Sequence, residues 1–597
     1  MSRASRRRRH TEVSLAAELC DPAAVIRQTM LRMGLVVGAL ALPAMWSGTA
    51  CSPVARVFEG TGGHTSGSGG SGGTMGGACT PGDMKPCYTG PASTMDVGIC
   101  KHGLAKCGAD GKPGACMGET LPAMKVDCAA HQDQDCDGKI EHCPIDYLWA
   151  RSYGLAGNNN LVRGLAADTS GNVVACGMMT GKVDFGKGAL ATATGDADVF
   201  VVKLDAQGNT LWQGQYGDPT YDQECDAAGF DAQGNVYFAG GYEATMDVGP
   251  QVLPMSAGQR DAYVVKLDPS GAPTWARTGG DTNNQLVETL AVTADGGVVV
   301  AGNYNGTFNF NGGGPVFPGS ATTQNLFVQR FDAGGASVFG VASANSAPDG
   351  GSTYLDVYGV TTDVKDNVIL TGAFQGSLTV GGKTAVSAGG SDVFVMKLDG
   401  KSGAVVWLQS FGSPGDDQAS GMAADKLGDV VVSGSFTKSM ALGTFTVTSP
   451  GRGLFLARIQ PDGTVSWANG YGNGSVYDIM FVHVDDKNDL VLGGVFDGTV
   501  DFGGGALASA PMGQMGAAAF VAKLDASGKH LASKAFAPMM APDGGMGGPI
   551  AIGLAVTTVP VTNEIVLGGT TFTTTDFGGG PIGPSLASSP FVAEYAP

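Results

Sequence analysis

The chain has 597 residues, a formal net charge of −19 and 97 glycines, and 15% of its residues are charged. This length suits several domains or one large repeat array, and an acidic surface, which repels phosphate backbones, argues against nucleic acid as a partner. Glycine-rich composition with 43% apolar residues predicts an all-β protein with many tight turns, and excludes a disordered chain.

The chain starts with a predicted leader. Residues 30–51 read MLRMGLVVGALALPAMWSGTAC, with a basic start, an apolar run and small residues before a cysteine. The apolar run is too short to cross a bilayer, so the segment predicts a secretory signal. We therefore interpret 1–50 as the leader, with Met30 or Met33 as the expected translation start because the preceding basic stretch is unusual in front of such a signal.

The small residues 48–50 in front of Cys51 resemble a bacterial lipobox, in which the cysteine is diacylated and becomes the mature N-terminus. Gly48 departs from the motif, which prefers leucine there. The resemblance implies a lipid anchor on Cys51, and an ordinary signal peptide cleaved nearby is the alternative. Ser52 favours delivery to the outer membrane or cell surface. Residues 51–78, rich in Gly and Ser, predict a flexible tether.

Residues 79–145 form a predicted cysteine-rich module. An even number of cysteines in so short an exported segment indicates a framework of four disulfides, whose connectivity the sequence leaves open. None of these cysteines stands in a C-x-x-C pair, which argues against zinc. The eight cysteines are Cys79, Cys87, Cys100, Cys107, Cys116, Cys128, Cys136 and Cys143.

Within this module an acidic stretch, DQDCDGKIEH (133–142), opens like a calcium-binding loop. Asp133, Asp135 and Asp137 alternate ahead of a glycine, as calcium ligands do. The block resembles cysteine-rich modules of bacterial secreted proteins that are described as metal-binding. Pro144 stands where such a loop needs a bidentate glutamate. The sequence therefore favours an acidic turn held by disulfides, with bound Ca²⁺ as the alternative and no other cofactor.

From residue 146 to 597 one unit recurs. Each copy contains four strand-like segments, named a, b, c and d in chain order, and the c segment follows the pattern FVxKLD. A regular period of 61 to 71 residues indicates a repeat architecture. Four antiparallel strands per unit predict an all-β, seven-bladed β-propeller. The aromatic residues that mark the c segments are Phe200, Tyr263, Phe327, Phe394, Phe455, Phe520 and Phe591.

Two copies carry a resemblance to the bacterial β-propeller repeat family: GLAADTSGNVVACG (164–177) and AAGFDAQGNVYFAG (227–240). The resemblance covers 146–597 and implies the propeller fold. Every b segment ends in glycine, which we attribute to close packing near the central channel. The c segments are expected to alternate apolar and polar positions.

The last copy stops after its c segment. The missing d segment is found at the start of the repeat region, in DYLWARSYG (146–154), where Trp149 aligns with Trp212 of the next unit. We expect 146–154 to pair with the C-terminal strand, so that the ring closes without open sheet edges.

Two further cysteines lie within the repeats. Cys176 ends the first b segment and Cys225 begins the second a segment. They are expected at the same end of adjacent units and therefore predict a disulfide between units, with two buried thiols as the alternative.

The sequence contains no assembled catalytic motif. There is no H-E-x-x-H, and the two histidines of the repeats, His483 and His530, are expected to be solvated. LDGKSGAVVW (398–407) resembles the tryptophan-docking repeat of quinoprotein dehydrogenases, a structural motif in that family, but those enzymes have eight blades and an adjacent cysteine pair. The recurring DFGGG (501–505 and 576–580) is interpreted as a turn device rather than a site.

These features predict an exported, lipid-anchored and monomeric propeller that is not an enzyme. Its expected role is to bind a surface protein or polysaccharide on the rim of the b–c and d–a loops, including 537–549. It would contact the membrane only through its lipid. An exported enzyme, either quinoprotein-like or a polysaccharide lyase or hydrolase, is the first alternative, and a structural spacer is the second. Buried carboxylates clustered at the channel mouth would favour the enzyme, and a smooth rim with dispersed apolar residues would favour binding.

Overall fold

A computed structural model gives two compact units, 1–141 and 142–597. Among the described residues no helix is both long and apolar enough to cross a membrane. The leader and tether lie outside the described residues, which are 79–123, 133–134, 136, 145–154, 159–191, 197–218, 220–346, 354–474, 479–509, 517–536, 551–572, 574–583 and 588–597.

The first unit holds a three-stranded antiparallel sheet and one turn of 3-10 helix, Ala92–Thr94. Its small buried cluster comprises Tyr88, Cys100 and Cys136, so disulfides replace most of an apolar core here. The strands are β1 (Met84–Cys87), β2 (Gly103–Cys107) and β3 (Pro113–Met117).

The second unit is built from seven antiparallel sheets, sheet 1 to sheet 7, each with strands a to d in that spatial order. Sheet 7 takes its d strand, β4 (Tyr147–Ser152), from the start of the unit. The a, b, c and d strands of sheets 1 to 3 are β5 (Asn159–Ala167), β6 (Val173–Thr180), β9 (Ala197–Leu204), β10 (Thr210–Tyr216); β11 (Gln223–Phe230), β12 (Val236–Tyr242), β15 (Asp261–Leu267), β16 (Pro273–Gly279); and β17 (Gln285–Val292), β18 (Val298–Tyr304), β19 (Asn325–Phe331), β20 (Ser337–Ser346).

The remaining sheets repeat this order. Their strands are β21 (Leu355–Thr362), β22 (Val368–Phe374), β25 (Asp392–Leu398), β26 (Val405–Phe411) in sheet 4; β27 (Gln418–Ala424), β28 (Val430–Leu442), β29 (Phe445–Ile459), β30 (Val465–Gly474) in sheet 5; β31 (Ile479–Val484), β32 (Leu490–Phe496), β35 (Ala518–Leu524), β36 (His530–Phe536) in sheet 6; and β37 (Ala551–Thr558), β38 (Ile565–Thr571), β41 (Ser589–Tyr595) with β4 in sheet 7.

The a strands contact one another in cyclic order. Each of them lies at the edge of its sheet and packs against the a strand of the next sheet, and β37 of sheet 7 packs against β5 of sheet 1. Four-stranded antiparallel sheets stacked around their first strands are the architecture of a β-propeller. The second unit therefore has a β-propeller fold, with the a strands innermost.

The c strands are buried, and they do not show the alternation of apolar and polar positions that was expected for the FVxKLD segments. In six of the c strands every residue is buried, and in five of these six the buried residues include a lysine or arginine, because each sheet is covered on both faces by its neighbours. The basic side chains are neutralised by the acidic a–b turn of the same sheet. These ion pairs are Lys203–Asp168, Lys266–Asp231, Arg330–Asp295, Lys397–Asp363, Arg458–Asp425 and Lys523–Asp485.

The glycine that recurs in the b strands has, in sheet 1, a different cause from the one expected. In sheet 1 the pairing of β5 with β6 shifts by one residue between Val162 and Gly164, which is a β-bulge. A Cβ on Gly177 of β6 would lie 1.7 Å from the carbonyl oxygen of Leu161. The clash is thus with the bulged a strand of the same sheet, not with the walls of the channel.

β4 pairs antiparallel with β41, as the sequence predicts for these two segments. Trp149 lies opposite Glu594, just as Trp212 lies opposite Lys203 in sheet 1. Ile145 N donates to Ala596 O and Ala596 N to Asp146 O. The two ends of the second unit are therefore joined by main-chain hydrogen bonds.

Tryptophans of the d strands connect four of the sheets to the next. In these four the indole N–H donates, at 3.0 Å, to a carbonyl oxygen in the c–d turn of the following sheet, and the turn glycine leaves room for the ring, as Gly208 does for Trp149. Sheet 3 carries Phe339 instead, and the indole N–H of Trp467 in sheet 5 has no hydrogen-bond partner among the described residues. Sheet 6 carries Ala532 at this position, and sheet 7 has no c–d turn because its c and d strands come from opposite ends of the chain. The pairs are Trp149–Ala206, Trp212–Pro269, Trp275–Ala333 and Trp407–Pro461.

Most b–c connections are folded rather than open loops. The D-F-G stretches are turn devices, since Asp501 Oδ1 accepts hydrogen bonds from Gly503 N and Gly505 N, and the adjacent Phe502 packs on Phe520 of the c strand at 5.0 Å. The hairpins in these connections are β7 (Lys182–Val183) with β8 (Leu190–Ala191), β13 (Met246–Val248) with β14 (Gln251–Leu253), β23 (Ser377–Val380) with β24 (Lys383–Val386), β33 (Thr499–Val500) with β34 (Leu507–Ala508), and β39 (Thr575–Asp576) with β40 (Pro581–Ile582).

Candidate functional site

Bulges in the innermost strands give the first geometric sign of a site. A bulge leaves one residue without a partner on the neighbouring strand and changes the direction of its side chain. In sheets 1 to 4 the bulge residues are Arg163, Asp226, Glu288 and Tyr358. Four consecutive sheets therefore place four chemically active side chains on adjacent a strands.

The first part of the site is a network of two guanidinium groups and three carboxylates. Arg163 of β5 pairs with Asp226 and, at 3.1 Å, with Glu224, both on β11. Arg260 binds the other oxygen of Glu224 and contacts Glu243 at 3.2 Å. The two basic groups thus hold the acidic side chains of sheet 2 in fixed positions.

The second part of the site surrounds Asp356 at the start of β21. Asn303 Nδ2 donates to Asp356 Oδ1 at 2.9 Å, and Tyr358 OH donates to Oδ2 at 3.3 Å. Tyr358 OH is also 2.8 Å from Tyr354 OH, to which Gln418 Nε2 donates at 3.4 Å. Despite these donors, burial raises the pKa of Asp356 to about 6.

Glu288 lies between the two parts and feels the charges of both. Its pKa is raised well above the ordinary value, first by burial and then by the negative charges of Asp226, Asp356 and Glu224, with Arg163 opposing them. Within the described part of the chain its carboxyl group has no hydrogen-bond partner.

The polar atoms that remain unsatisfied are acceptors. Asp226 Oδ2 and Asn303 Oδ1 are buried without a hydrogen-bond donor among the described residues. The Asp226 side chain is 6% exposed and Asn303 is also 6% exposed, so bulk water does not compensate them. Burial raises the pKa of Asp226 to about 6, and Arg163 opposes this shift. We call Arg163, Glu224, Asp226, Arg260, Glu288, Asn303, Tyr354, Asp356 and Tyr358 the inner-strand cluster.

The cluster occupies one side of the ring of a strands. In sheet 5 the bulge residue is Ser420, and in sheet 6 the a strand pairs with no register shift over Ile479–Val484. The a strand of sheet 7, β37, contains no ionisable residue. The polar chemistry of the described a strands is therefore concentrated on sheets 1 to 4.

The cluster was not predicted from the sequence, because its bulge residues occupy one equivalent position in successive units rather than a contiguous motif. Each bulge residue lies fourteen positions before the glycine that ends its b strand, for example Arg163 before Gly177 and Asp226 before Gly240. Aligning the units on that glycine gives Arg, Asp, Glu, Tyr, Ser, Met and Ala in this column. A position that varies inside an otherwise uniform repeat was the signal in the sequence that could have indicated the site.

The cysteines predicted to form disulfides are largely paired. Cys176 and Cys225, the pair expected to link two units, form a disulfide with a Cα–Cα distance of 5.9 Å. In the first unit the bridges are Cys79–Cys107, Cys87–Cys116 and Cys100–Cys136. Cys51, Cys128 and Cys143 lie outside the described residues.

The calcium loop remains a prediction. Asp135 and Asp137 lie outside the described residues, and the main-chain oxygen of the buried Asp133 accepts a hydrogen bond from Ile99 N at 2.9 Å. No group of three or more potential metal ligands occurs in the part of the chain that the structure describes.

The two histidines of the second unit do not form a catalytic set. His483 is half-buried, and burial lowers its pKa to about 4. His530 Nε2 lies 3.0 Å from Ser533 Oγ, but the nearby Asp501 is engaged by its own turn. A nucleophile, base and orienting carboxylate are therefore not aligned at His530.

Comparison with known proteins adds only remote similarities. No family model matches the chain, and no curated protein matches it. Among solved structures, quinohemoprotein alcohol dehydrogenase from Comamonas testosteroni is 12% identical, with 74% of this chain and 76% of that chain covered and a TM-score of 0.31.

Two other solved structures are similar at the same level. A mutant of NanB sialidase from Streptococcus pneumoniae is 10% identical, with coverage of 77% and 72% and a TM-score of 0.32. A europium-containing methanol dehydrogenase is 10% identical, with coverage of 76% and 93% and a TM-score of 0.30. All three TM-scores are below 0.5, so we draw no functional conclusion from these similarities.

Proposed function

We propose that sheets 1 to 7 are the seven blades of one closed propeller, exported and anchored to the cell surface through a lipid on Cys51. Support for closure comes from the pairing of β4 with β41 and from the packing of β37 on β5. Support for export comes from the leader, and the four disulfides suit an oxidising compartment. The proposal treats the protein as a monomer.

The protein's proposed role is to bind a surface polysaccharide, and the proposed binding site is the inner-strand cluster rather than the loop rim. The observation that carries this is the set of bulges that brings Arg163, Asp226, Glu288 and Tyr358 onto adjacent a strands. Carboxylates, guanidinium groups, amides and phenol hydroxyls are the groups that bind sugar hydroxyls, and such convergent polar groups mark a ligand site.

A second candidate function is hydrolysis of the bound polysaccharide, which clustered carboxylates favour. Glu288, whose pKa burial raises well above its ordinary value, would donate its proton to the leaving glycosidic oxygen. Asp356, held by Asn303 and Tyr358, would accept a proton from the water whose oxygen bonds to the sugar carbon as the glycosidic bond breaks.

A polysaccharide array tests the binding function. Asp356→Asn and Tyr358→Phe remove the charge and the hydroxyl at the centre of the site, and we expect each to weaken binding about 10-fold or more. Asp247→Asn is the matched control, because Asp247 is exposed on hairpin β13–β14 and should bind as the wild type does. An array on which the wild-type protein binds nothing, or binding that both Asp variants weaken equally, would contradict the proposal.

Release of reducing ends from the bound polysaccharide tests hydrolysis separately. Turnover that Glu288→Gln abolishes even at a saturating concentration of the polysaccharide would establish the enzyme. Binding without any release of reducing ends would leave the propeller as a binding module and exclude the second candidate.

A further inference from the structure

The inner-strand cluster has an unbalanced charge. Arg163 and Arg260 are both engaged with Glu224 and its neighbours in sheet 2. On the side of sheets 3 and 4, Asp356 is held only by neutral donors. The cation that acts on Glu288 is Arg163, which is already paired with Asp226 and Glu224. One half of the site is thus a closed set of ion pairs, and the other half carries carboxyl groups without a cation of their own.

The buried acceptor atoms that lack a hydrogen-bond donor also indicate a missing ligand, independently of the charge. Asn303 is 6% exposed and donates to Asp356, while its Oδ1 accepts no hydrogen bond from the described residues. Asp226 Oδ2 is buried and also lacks a donor. A ligand that completes this site must therefore supply N–H or O–H donors.

We propose that the part of the inner-strand cluster formed by Glu288, Asp356 and Asn303 is a subsite for a sugar residue that carries a free ammonium group. This inference rests on the proposed function and specifies its ligand. An ammonium group brings three donors and one positive charge, which match the acceptors and the missing cation. Tyr354 and Tyr358 offer hydroxyl groups beside it for the hydroxyls of the same sugar.

An amino sugar fits this surrounding better than a lysine side chain. Asp356 is surrounded by two tyrosine hydroxyls and by the amides of Asn303 and Gln324, which pair with sugar hydroxyls. A lysine would instead present a four-carbon stem, whose burial needs an apolar wall.

The subsite should take up its cation with release of protons. Burial raises the pKa values of Asp226, Glu288 and Asp356, so a part of these carboxyl groups is protonated at low pH. A cation binds the ionised carboxylates. The affinity should therefore rise with pH and fall as pH drops below about 6.

Several charged and titratable groups surround Glu288 on the elements packed against it. They are Arg163, Glu224, Asp226, Arg260, Glu243, Tyr354, Asp356 and Tyr358. Across the ring, β27 and β37 carry no ionisable residue and β31 carries His483, whose pKa responds to Asp485 and Asp486.

Calorimetric titration of the full-length protein with three oligomers tests the subsite. The probes are glucosamine hexamer, N-acetylglucosamine hexamer, which lacks the charge, and hexalysine, which lacks the sugar. We expect the glucosamine hexamer to bind at least 10-fold more tightly than either of the others near pH 7. Equal affinity for the acetylated hexamer, or tighter binding of hexalysine, would overturn the inference.

Variants place the subsite within the cluster. Glu288→Gln should lower the affinity for glucosamine hexamer at least 10-fold, Glu288→Asp should restore part of it, and Asp247→Asn should leave it unchanged, with folding checked by thermal melting. A pH series on the wild-type protein with ethanolamine, a short hydroxylated amine that like the amine of lysine stays charged over this range, needs no variant. Affinity that rises from about pH 5 to pH 7.5 with proton release is expected, and a flat profile would overturn the inference.

The outcomes separate this inference from the proposed function. If neutral polysaccharides bind and depend on Asp356 and Tyr358 while no amine binds, the ammonium subsite is wrong and the proposed function stands. If nothing on the polysaccharide array or in the titrations binds, both are wrong.

Discussion

Glu594 occupies in sheet 7 the position at which the c strands of the other six sheets carry a buried lysine or arginine. Val559 occupies the a–b turn position from which an acidic side chain pairs with that base in sheet 1. Glu594 is 5% exposed and its Oε2 has no hydrogen-bond partner in the described part of the chain. Burial, with a contribution from Glu564, raises the pKa of Glu594 to about 7. A repeated ion pair has thus been replaced by a buried carboxyl group opposite Trp149, where the two ends of the second unit meet.

This carboxyl group should make the stability depend on pH. Its pKa is higher in the folded than in the unfolded protein, so the folded state binds the proton more strongly, and stability falls as pH rises through about 4.5 to 7. Glu594→Gln should remove that loss. We expect the variant to exceed the wild type in Tm by on the order of 1–3 °C at about pH 8 and to match it at about pH 5. An equal difference at both pH values in thermal melting would contradict the assignment.

At the level of single elements, the tryptophans of the d strands show what a repeat can and cannot reveal. Sequence spacing located Trp149 opposite the C-terminal strand, and the register confirms it. The bulge at Arg163 could not be predicted, because it depends on how β5 pairs with β6 rather than on the residues of β5 alone. The buried Lys203–Asp168 pair was missed for a similar reason: its partners lie 35 positions apart and meet only when the sheet forms.

Trp149 provides the test at this scale, because it joins sheet 7 to sheet 1. Its side chain is 8% exposed and its indole N–H donates to Ala206 O. Trp149→Ala should lower the free energy of unfolding by about 3–5 kcal/mol through lost packing. Leu211→Ala is the control, since Leu211 is 47% exposed on the neighbouring d strand, and should change it by about 0.5 kcal/mol or less. Equal effects of the two substitutions in urea unfolding would show that Trp149 does not hold these sheets together.

For the whole second unit, the important property is that its first strand, β4, and its last strand, β41, pair with each other. β41 lies between β38 and β4, so it makes main-chain hydrogen bonds on both of its edges. Its loss would leave β4 without a partner strand and β38 with one open edge, and would remove part of the packing of sheet 7 on sheet 1.

Deletion of residues 589–597 should therefore lower Tm sharply, by about 10 °C or more. A synthetic peptide of the deleted sequence should restore part of the loss when added in excess, because it can pair with β38 and β4, and a scrambled peptide should not. An unchanged melting curve after the deletion would contradict closure of the ring by these strands.

The central claim is that the ligand binds on the innermost strands of sheets 1 to 4 and not on the loop rim. Hydrogen–deuterium exchange of the full-length protein, with and without the polysaccharide selected on the array, tests it most directly. We predict that the ligand slows exchange in peptides covering 159–167, 223–230, 285–292 and 354–362, which hold the bulge residues. Slowed exchange confined to the b–c hairpins, with these four segments unchanged, would contradict the claim.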